Sequence, residues 1–420
     1  MDGADRDRRS AGFRERTRVD DAYERLREAV TSTEGEARLD TERLALSAAD
    51  GRLLAERVSA ARDVPHYERA AMDGYAVHAA DTHGASVRSP AVVRIARTDA
   101  EVATSIEPGT AARVHTGSPI PDGADAVVMI EHVTELDAVG DLEIEDAVAP
   151  GENVAPVGED VSAGTDLYEP GHRLRPSDLG LLRSVGVERV AVRERPSVAV
   201  VPTGEELVDP GEKPDPGEVI ETNGLTVSRL VERWDADATY RDVVTDDPEA
   251  LRVAIERDLT HDVVVTTGGS SVGERDLLPE VIDDLGEVLV HGVALKPGHP
   301  VCLGVVAETP VLALPGYPVA CIVNAVQFLR PTLRWLEGTV IEELPTVDAR
   351  LDRKIPSEPG TRTFARVRLD EEGGDRVAIP TRASGSGVLS SVALADGWVV
   401  VDDEREGIPA GETVSVERWE

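Results

Sequence analysis

The sequence predicts a multidomain protein of α/β plus β class, and three observations predict it. Its 420 residues exceed what one hydrophobic core organises, so two to four domains are expected. From Pro196 to about Gly338, apolar β-rich runs alternate with helical spacings, the pattern of a parallel sheet covered by helices. On either side of that region lie short β runs broken by Gly and Pro.

Taken in order, residues 1–18 read as a disordered charged arm. Val19, Ala22, Tyr23, Leu26, Ala29 and Val30 then recur at helical spacing, and a second helix is expected within Thr41–Val58, interrupted by Gly51. Between about Ala61 and Asp160 the runs AVVRIA, ARVHTG, DAVVMIEHV and LEIEDAV predict a compact, mainly β module. PSDLGLLRSVGV returns to a helix, with Ser177 as N-cap and Gly186 just past its end.

SVAVVPTG is a continuous apolar strand ending at Gly, followed by a helix near Gly224–Trp234 and the strand ATYRDVV. DDPEALRVAIERDL marks a helix start, with Asp247 as N-cap, Pro248 at the first helical position and Glu249 in the first turn. Strand DVVVTT, helix LLPEVIDDL, strands VCLGVV and VLAL, and the helix VACIVNAVQFLRPTLRWLEG complete the unit, with a kink expected at Pro331. The last eighty or so residues alternate (RTFARVRL, DRVAIP, GWVVV, ETVSVERW) between Gly-rich turns and predict a small β-barrel or sandwich.

The formal net charge of −36 excludes a basic nucleic-acid footprint. Its acids are dispersed, and Lys213, Lys296 and Lys354 are the only lysines, a composition that resembles proteins of salt-loving archaea. Cys302 and Cys321 form no CxxC pair and suit no zinc spacing, which fits a reducing cytoplasm. The charged N-terminus lacks an apolar signal core, and no run of about 18 apolar residues predicts a membrane span.

Chemistry concentrates between His261 and Ala320, where three loops rich in Gly, Ser and Pro follow or flank apolar strands. Ligands of such sheets bind at the carboxyl ends of the strands. In TTGGSSVGERD, Gly268, Gly269 and Gly273 let backbone approach a ligand, and Ser270 and Ser271 offer hydroxyls. By itself the run fits an ordinary βα turn as well as a phosphate cradle, and it lacks the Walker GK[ST]. Asp276, opening the next helix, can cap it or hold a metal ion. LKPGHP places Lys296 before a turn, as a surface lysine or as a cation for a dianion, and LPGYP makes a rigid turn through Pro315, Gly316 and Pro318. Further acids sit on turns: Glu205 and Glu206 after PTG, Asp73 in AAMDGYAV, and Glu159 and Asp160 in GENVAPVGEDV. They are either solvated or the oxygen ligands of a hard cation. Thr116 and Ser118 lie in HTGSPIP.

The segments DVPHYERAAMDGYAV, RVHTGSPIPDGADAVVMIEHV, GENVAPVGEDV, PTGEELVDPG, VVVTTGGSSVGERD, LKPGHP and LPGYPV, in that order, resemble the molybdopterin molybdenumtransferases. This is the MoeA family, to which the gephyrin E domain also belongs, and the likeness runs from about Val19 to the C-terminus. It implies a small discontinuous helical domain (19–60 plus 161–193) and an elongated mainly-β domain (61–160). A Rossmann-like α/β domain shared with molybdopterin adenylyltransferases (194–338) and a C-terminal β-barrel (339–420) follow. It also implies a homodimer whose active-site cleft lies between the α/β domain of one subunit and the β module of the other. The implied reaction inserts molybdate into adenylylated molybdopterin with Mg²⁺ and releases AMP, the pterin coming from a molybdopterin adenylyltransferase.

Carried over by motif, Asp73, Thr116, Glu206, Asp246, Asp276 and Lys296 resemble catalytic residues. Asp276, Glu206 and Asp160 resemble metal ligands. Gly268, Gly269, Ser270, Ser271, Gly273, Pro315, Gly316, Pro318, Ser384 and Ser386 resemble cofactor-binding positions. Part of the usual basic lining is missing: Val154-Ala155-Pro156-Val157, Gly292 and His299 stand where many relatives carry cations, so either arginines from elsewhere substitute or anion binding leans on salt. Two rival readings are an adenylyltransferase using ATP and a non-catalytic, gephyrin-like scaffold.

Overall fold

The computed structural model describes residues 16–31, 39–96, 104–136, 140–268, 277–381 and 385–420. They fall into two compact units, Thr41–Val192 and the combination of Met1–Asp40 with Arg193–Glu420.

In the Thr41–Val192 unit, six strands form one sheet in the order Ala126–Met129, Gly74–Val77, Thr110–Val114, Ser86–Ile95, Asp141–Asp146, Val133–Leu136. Alternation along Gly74–Val77 sends Tyr75 and Val77 into one cluster with Val128, Leu142 and Ile144, and Ala76 into another with Val114 and Val127. Gly74 has no substitute here, because a Cβ would lie 1.9 Å from the Val128 carbonyl oxygen. A separate cluster gathers Leu46, Leu54, Val58, Leu174, Leu182 and Val192.

Three local expectations change in this unit. The segment expected to hold a helix within Thr41–Val58 forms the strand Thr41–Ala45, the 3₁₀ turn Leu46–Ala48 and irregular chain. Thr41–Ala45 finds a strand partner in Arg189–Arg193, and Gly51 sits at φ +72°, which ends any helix. Helix Pro176–Ser184 starts one residue ahead of the expected Ser177 cap. Pro176 takes the first helical position, and the Asp178 carboxylate accepts the Arg175 backbone N–H at 2.9 Å. Among the described residues, only this helix and short 3₁₀ turns are helical in the unit, so the part of the expected small helical domain that lies here is mostly irregular chain and paired strands.

Helix Val19–Val30 belongs to the other unit, although it was expected with the helical domain. Its apolar face (Val19, Ala22, Leu26, Val30) joins the cluster containing Phe328, Leu333 and Trp335, and the Tyr23 ring meets Trp335 edge-on at 4.7 Å. The charged arm ends earlier than residue 18: Thr17 donates to the Gly292 carbonyl at 3.0 Å and accepts from the Ala294 N–H at 2.8 Å.

The α/β sheet of this unit runs Asp237–Tyr240, Ser197–Pro202, Val263–Thr267, Thr309–Leu314, Cys302–Val306, Glu287–His291. Its first four strands are parallel and the last two join antiparallel. Both faces are covered. Val263 and Val265 pack with helices Asn223–Arg233 and Pro318–Asn324, whereas Val264 packs with Leu251, Ile255 and Ile282 beneath Pro248–Asp258 and Leu278–Leu285. Asp247 caps as expected, accepting from the Glu249 and Ala250 N–H groups at 3.1 and 3.0 Å. The irregularity expected at Pro331 is a π turn over Ala325–Leu329, just ahead of the proline.

The C-terminal strands close into a five-stranded barrel: Arg362–Glu372, Asp375–Pro380, Thr346–Leu351, Thr413–Glu417 and Gly397–Val401, which pairs back to the first. Ala365 and Val367 point into the barrel with Leu351, Val399 and Val416. The alternate residues Phe364 and Arg366 therefore point out, and Phe364 packs edge-on against Trp398, which stacks on Trp419. Leu295–Lys296 runs parallel to Arg362–Thr363, stitching the LKPGHP loop to the barrel.

Candidate functional site

Two neighbourhoods of the α/β unit and one of the β module carry the chemistry. At the carboxyl edge of the parallel strands, Gly268 follows Val263–Thr267 at φ +149°, with the position of a Cβ 1.9 Å from the Thr203 carbonyl oxygen. The strand ends are therefore in backbone contact that only glycine permits. Gly204, also at φ +149°, lies under the Glu206 carboxylate, whose Oε2 is 2.6 Å from where a Cβ would stand. Gly204 donates to the Val244 carbonyl at 3.1 Å, which puts the loop leading to Asp246 beside the PTGE turn. The LPGYP turn is pinned by Asn223 Nδ2, donating to the Gly316 carbonyl at 2.7 Å. Thr203 and Thr267 are buried here, and neither hydroxyl has a hydrogen-bond partner among the described residues. Glu206, Asp246, Gly268, Pro315 and Gly316 are thus on one edge.

Sequence reasoning missed Glu221. It is 4% exposed, accepts the Gly224 N–H at 2.6 Å and the Tyr240 hydroxyl, and so braces the start of helix Asn223–Arg233. Burial, then Glu221, pushes the Tyr240 pKa up. An acid three residues before the glycine of IETNG was the available signal.

Beside this edge the α/β loops and the barrel enclose a cleft of about 580 Å³, lined by Lys296, His299, Pro315, Tyr317, Arg366 and Ser386 among others. Gly298 lets the PGHP turn seat on helix Pro318–Asn324: Asn324 Nδ2 donates to the Gly298 carbonyl at 2.9 Å, and a Cβ on Gly298 would fall 2.2 Å from that nitrogen. Ser386 is held because Val319 N–H donates to its carbonyl at 3.0 Å. Lys296 Nζ lies 2.6 Å from Glu358 Oε1, and this lysine holds the Glu358 carboxyl below its usual range. Burial, followed by the charges of Arg16 and Lys296, lowers the His299 pKa, so the imidazole is neutral at pH 7. Arg366, unforeseen from the sequence, supplies a cation at 2% exposure; burial pulls its pKa down from the ordinary value, far too high to lose the proton near neutrality. It donates to the Phe364 carbonyl at 3.4 Å and to Ser391 Oγ at 3.5 Å. Arg366 thus places a second cationic side chain in the lining of the cleft that holds Lys296.

In the β module, Asp73 Oδ1 accepts the Thr116 N–H at 2.7 Å and its hydroxyl at 3.0 Å. These bonds, backbone first, pull the exposed Asp73 carboxyl below its usual pKa. Tyr67 fastens the HTGSP turn through the Gly117 carbonyl at 3.0 Å. Asp160 is exposed beyond the strand Val154–Ala155, which pairs with Arg69–Ala70 ahead of Asp73.

Gly269, Ser270, Ser271, Gly273, Asp276 and Ser384 lie outside the described residues. Among those described, no three His, Cys, Asp or Glu side chains gather to hold a metal. The acids on turns therefore do not assemble into a protein-only cation cage on described residues. Cys302 and Cys321 are buried and form no disulfide, and burial drives the Cys321 pKa up, so Cys321 is not a ready nucleophile. No helix among the described residues is long and apolar enough to cross a membrane.

Comparison with known proteins matches three consecutive regions. Residues 17–186 match the MoeA N-terminal region (domain I and II), residues 199–335 a probable molybdopterin binding domain, and residues 348–419 the MoeA C-terminal region (domain IV). A putative molybdopterin biosynthesis protein of Methanocaldococcus jannaschii is 37% identical over 374 residues, covering 87% of this chain and 89% of that protein. The molybdopterin molybdenumtransferase of Haemophilus influenzae is 32% identical, with 90% of this chain and 93% of that protein covered. Among solved structures, a molybdopterin biosynthesis MoeA protein from Pyrococcus horikoshii superposes with a TM-score of 0.81 at 33% identity, over 97% of this chain and 100% of that one. Three successive regional matches in family order, with relatives above 30% identity over nearly the whole length, leave one conclusion: the chain belongs to the MoeA family of molybdopterin molybdenumtransferases.

Proposed function

We propose that the protein inserts molybdenum from molybdate into adenylylated molybdopterin, with Mg²⁺, and releases AMP. The observation that carries this reading is the cleft where Lys296 and the buried Arg366 face the loops of the parallel-strand edge. A tetrahedral dianion is well held by cationic donors in a confined space, and a planar guanidinium beside a compact ammonium suits it. The strand edge suits the pterin phosphate: the glycines at 204 and 268 let the chain pass closely there, and the Gly-Ser run that follows Gly268 in the sequence is of the kind that cradles phosphate.

In this reading Lys296 and Arg366 bind and orient the oxyanion, Pro315, Gly316 and Pro318 fix the wall, and Ser386 with Ser384 supply hydroxyls from the barrel side. Glu206 and Asp276, with Asp246 in support, would hold Mg²⁺, and Asp160 would join them from a second copy, alongside Asp73 and Thr116. That cation commonly takes one or two carboxylates and completes its shell with water and substrate phosphate. When bound, it neutralises charge on the leaving adenylate. We further propose a homodimer in which Asp73 and Thr116 serve a second copy's site, in a reducing cytoplasm at high salt. The two buried thiols and the net charge of −36 support those settings.

The test is AMP release. Preformed adenylylated molybdopterin with molybdate should give saturable AMP, and Asp276→Asn should bind the pterin without releasing it. Turnover of ATP with molybdopterin instead would make the protein an adenylyltransferase, and absence of both reactions would leave a scaffold.

A further inference from the structure

Lys296 is not an open cation in this cleft. Its ammonium sits 2.6 Å from the Glu358 carboxylate, on the loop between the short strand Ile355–Pro356 and the barrel strand Arg362–Glu372. Both residues line the cleft that contains Arg366. The pair is exposed, with side-chain exposures of 41% for Lys296 and 66% for Glu358. Exposed pairs are held weakly and exchange partners readily.

We propose that Glu358 is the resting counter-ion of Lys296, occupying the ammonium until a tetrahedral dianion displaces it, and that this carboxylate sets the affinity and salt response of the oxyanion site. The inference rests on the reading of the cleft as that site. Three consequences follow from electrostatics. A dianion bound between Lys296 and Arg366 is repelled by a carboxylate left within the same cleft. Glu358 must therefore swing away or tolerate the repulsion, and either one weakens binding. Lastly, the same carboxylate can return to Lys296 as the anion is consumed, so the lysine is not left uncompensated.

For a dianion and one carboxylate roughly 6 Å apart in a water-like dielectric, reduced by ionic screening, Glu358→Gln should tighten binding about three- to tenfold. At roughly 1 M salt, where the screening length falls to about 3 Å, the gain should shrink below about twofold. A carboxylate with a purely structural role would show no such convergence.

The experiment is calorimetric titration of sodium molybdate into the full-length wild type, Glu358→Gln, Glu358→Ala, Lys296→Met and Arg366→Met proteins, each at low salt and at 1 M KCl. Thermal midpoints of the same samples establish that each variant is folded. Tighter binding by both Glu358 variants at low salt, converging at high salt, supports the counter-ion role. Unchanged or weaker binding by both Glu358 variants, with Arg366→Met still impaired, overturns the counter-ion role and leaves the site reading intact. Wild-type-like binding by both Lys296→Met and Arg366→Met would overturn the site reading and the inference together.

Discussion

Replacing Gly268 by Ala tests how tightly the strand edge is built. The added Cβ would lie 1.9 Å from the Thr203 carbonyl oxygen and 3.0 Å from Thr203 Oγ1, in backbone that already sits at φ +149°. The conformation costs a non-glycine residue about 1–3 kcal/mol, and forcing a methyl against a neighbouring strand adds about 1–3 kcal/mol. A loss of roughly 2–6 kcal/mol is expected, against a total stability on the order of 5–15 kcal/mol. Gly316, in the facing turn, is the control: its nearest neighbour would be Gly268 Cα at 3.5 Å, an ordinary contact. Gly316→Ala should therefore change stability by no more than about 0.5 kcal/mol. All four tryptophans (Trp234, Trp335, Trp398 and Trp419) lie in the unit that contains this sheet. Tryptophan fluorescence in urea therefore reads this unit alone. Its midpoint should fall by on the order of 1 M for Gly268→Ala, with AMP release lost because the strand ends must part. Equal midpoints and equal AMP release for the two alanine variants would show that the close approach of Thr203 and Gly268 does not organise the site.

Asp178 is nearly buried, and its carboxyl is held well below the usual range chiefly by the Arg175 guanidinium, with burial opposing and His172 also hydrogen-bonded to it. A depressed carboxyl stabilises the fold above its unfolded pKa and loses that contribution as pH falls through its folded value. Asp178→Asn should cost about 1–3 kcal/mol at pH 7, and the gap to wild type should narrow below roughly pH 4; a pH-independent gap in acid unfolding experiments would refute this. Cys321, buried with a raised pKa, should react with a thiol reagent only on unfolding, as should Cys302. Rapid labelling of either at neutral pH in the native protein would contradict the burial.

The α/β sheet was legible because its strands are unbroken apolar runs and its helices carry strong start signals, as Asp247-Pro248 does. Loops that end such strands announce themselves by glycine, and Gly268 and Gly316 looked alike on that criterion. Only the close approach of Thr203 separates them. Helix Val19–Val30 was legible as a helix, while its place against Phe328 and Trp335 was not, since periodicity states that a face is apolar and not what covers it. Thr41–Val58 failed for the opposite reason. Leu46, Leu54 and Val58 mimic a helical face, and long-range pairing with Arg189–Arg193 overrode the local pattern. Arg366 stayed hidden because alternation along RTFARVRL gives two faces without saying which is the barrel interior.

On the proposed reading of the cleft, that arginine supplies a cation for an anion site in so acidic a chain. An exposed cation on a carboxylate-rich surface acquires a carboxylate neighbour and is screened by salt, as Lys296 is by Glu358. A guanidinium at 2% exposure is shielded from the solution ions that would blunt it. Its burial carries a desolvation cost, but arginine tolerates that without losing its proton, where a buried lysine would shift toward neutrality. The neutral His299 in the PGHP turn and the charged Arg366 on the barrel strand are then two parts of one arrangement. Arg366 stands at an outward-facing position on a rigid strand, where the barrel core fixes its direction through Ala365 and Val367. In the proposed oxyanion site, Arg366 would then be the constant cation, and Lys296, through its pairing with Glu358, the adjustable one.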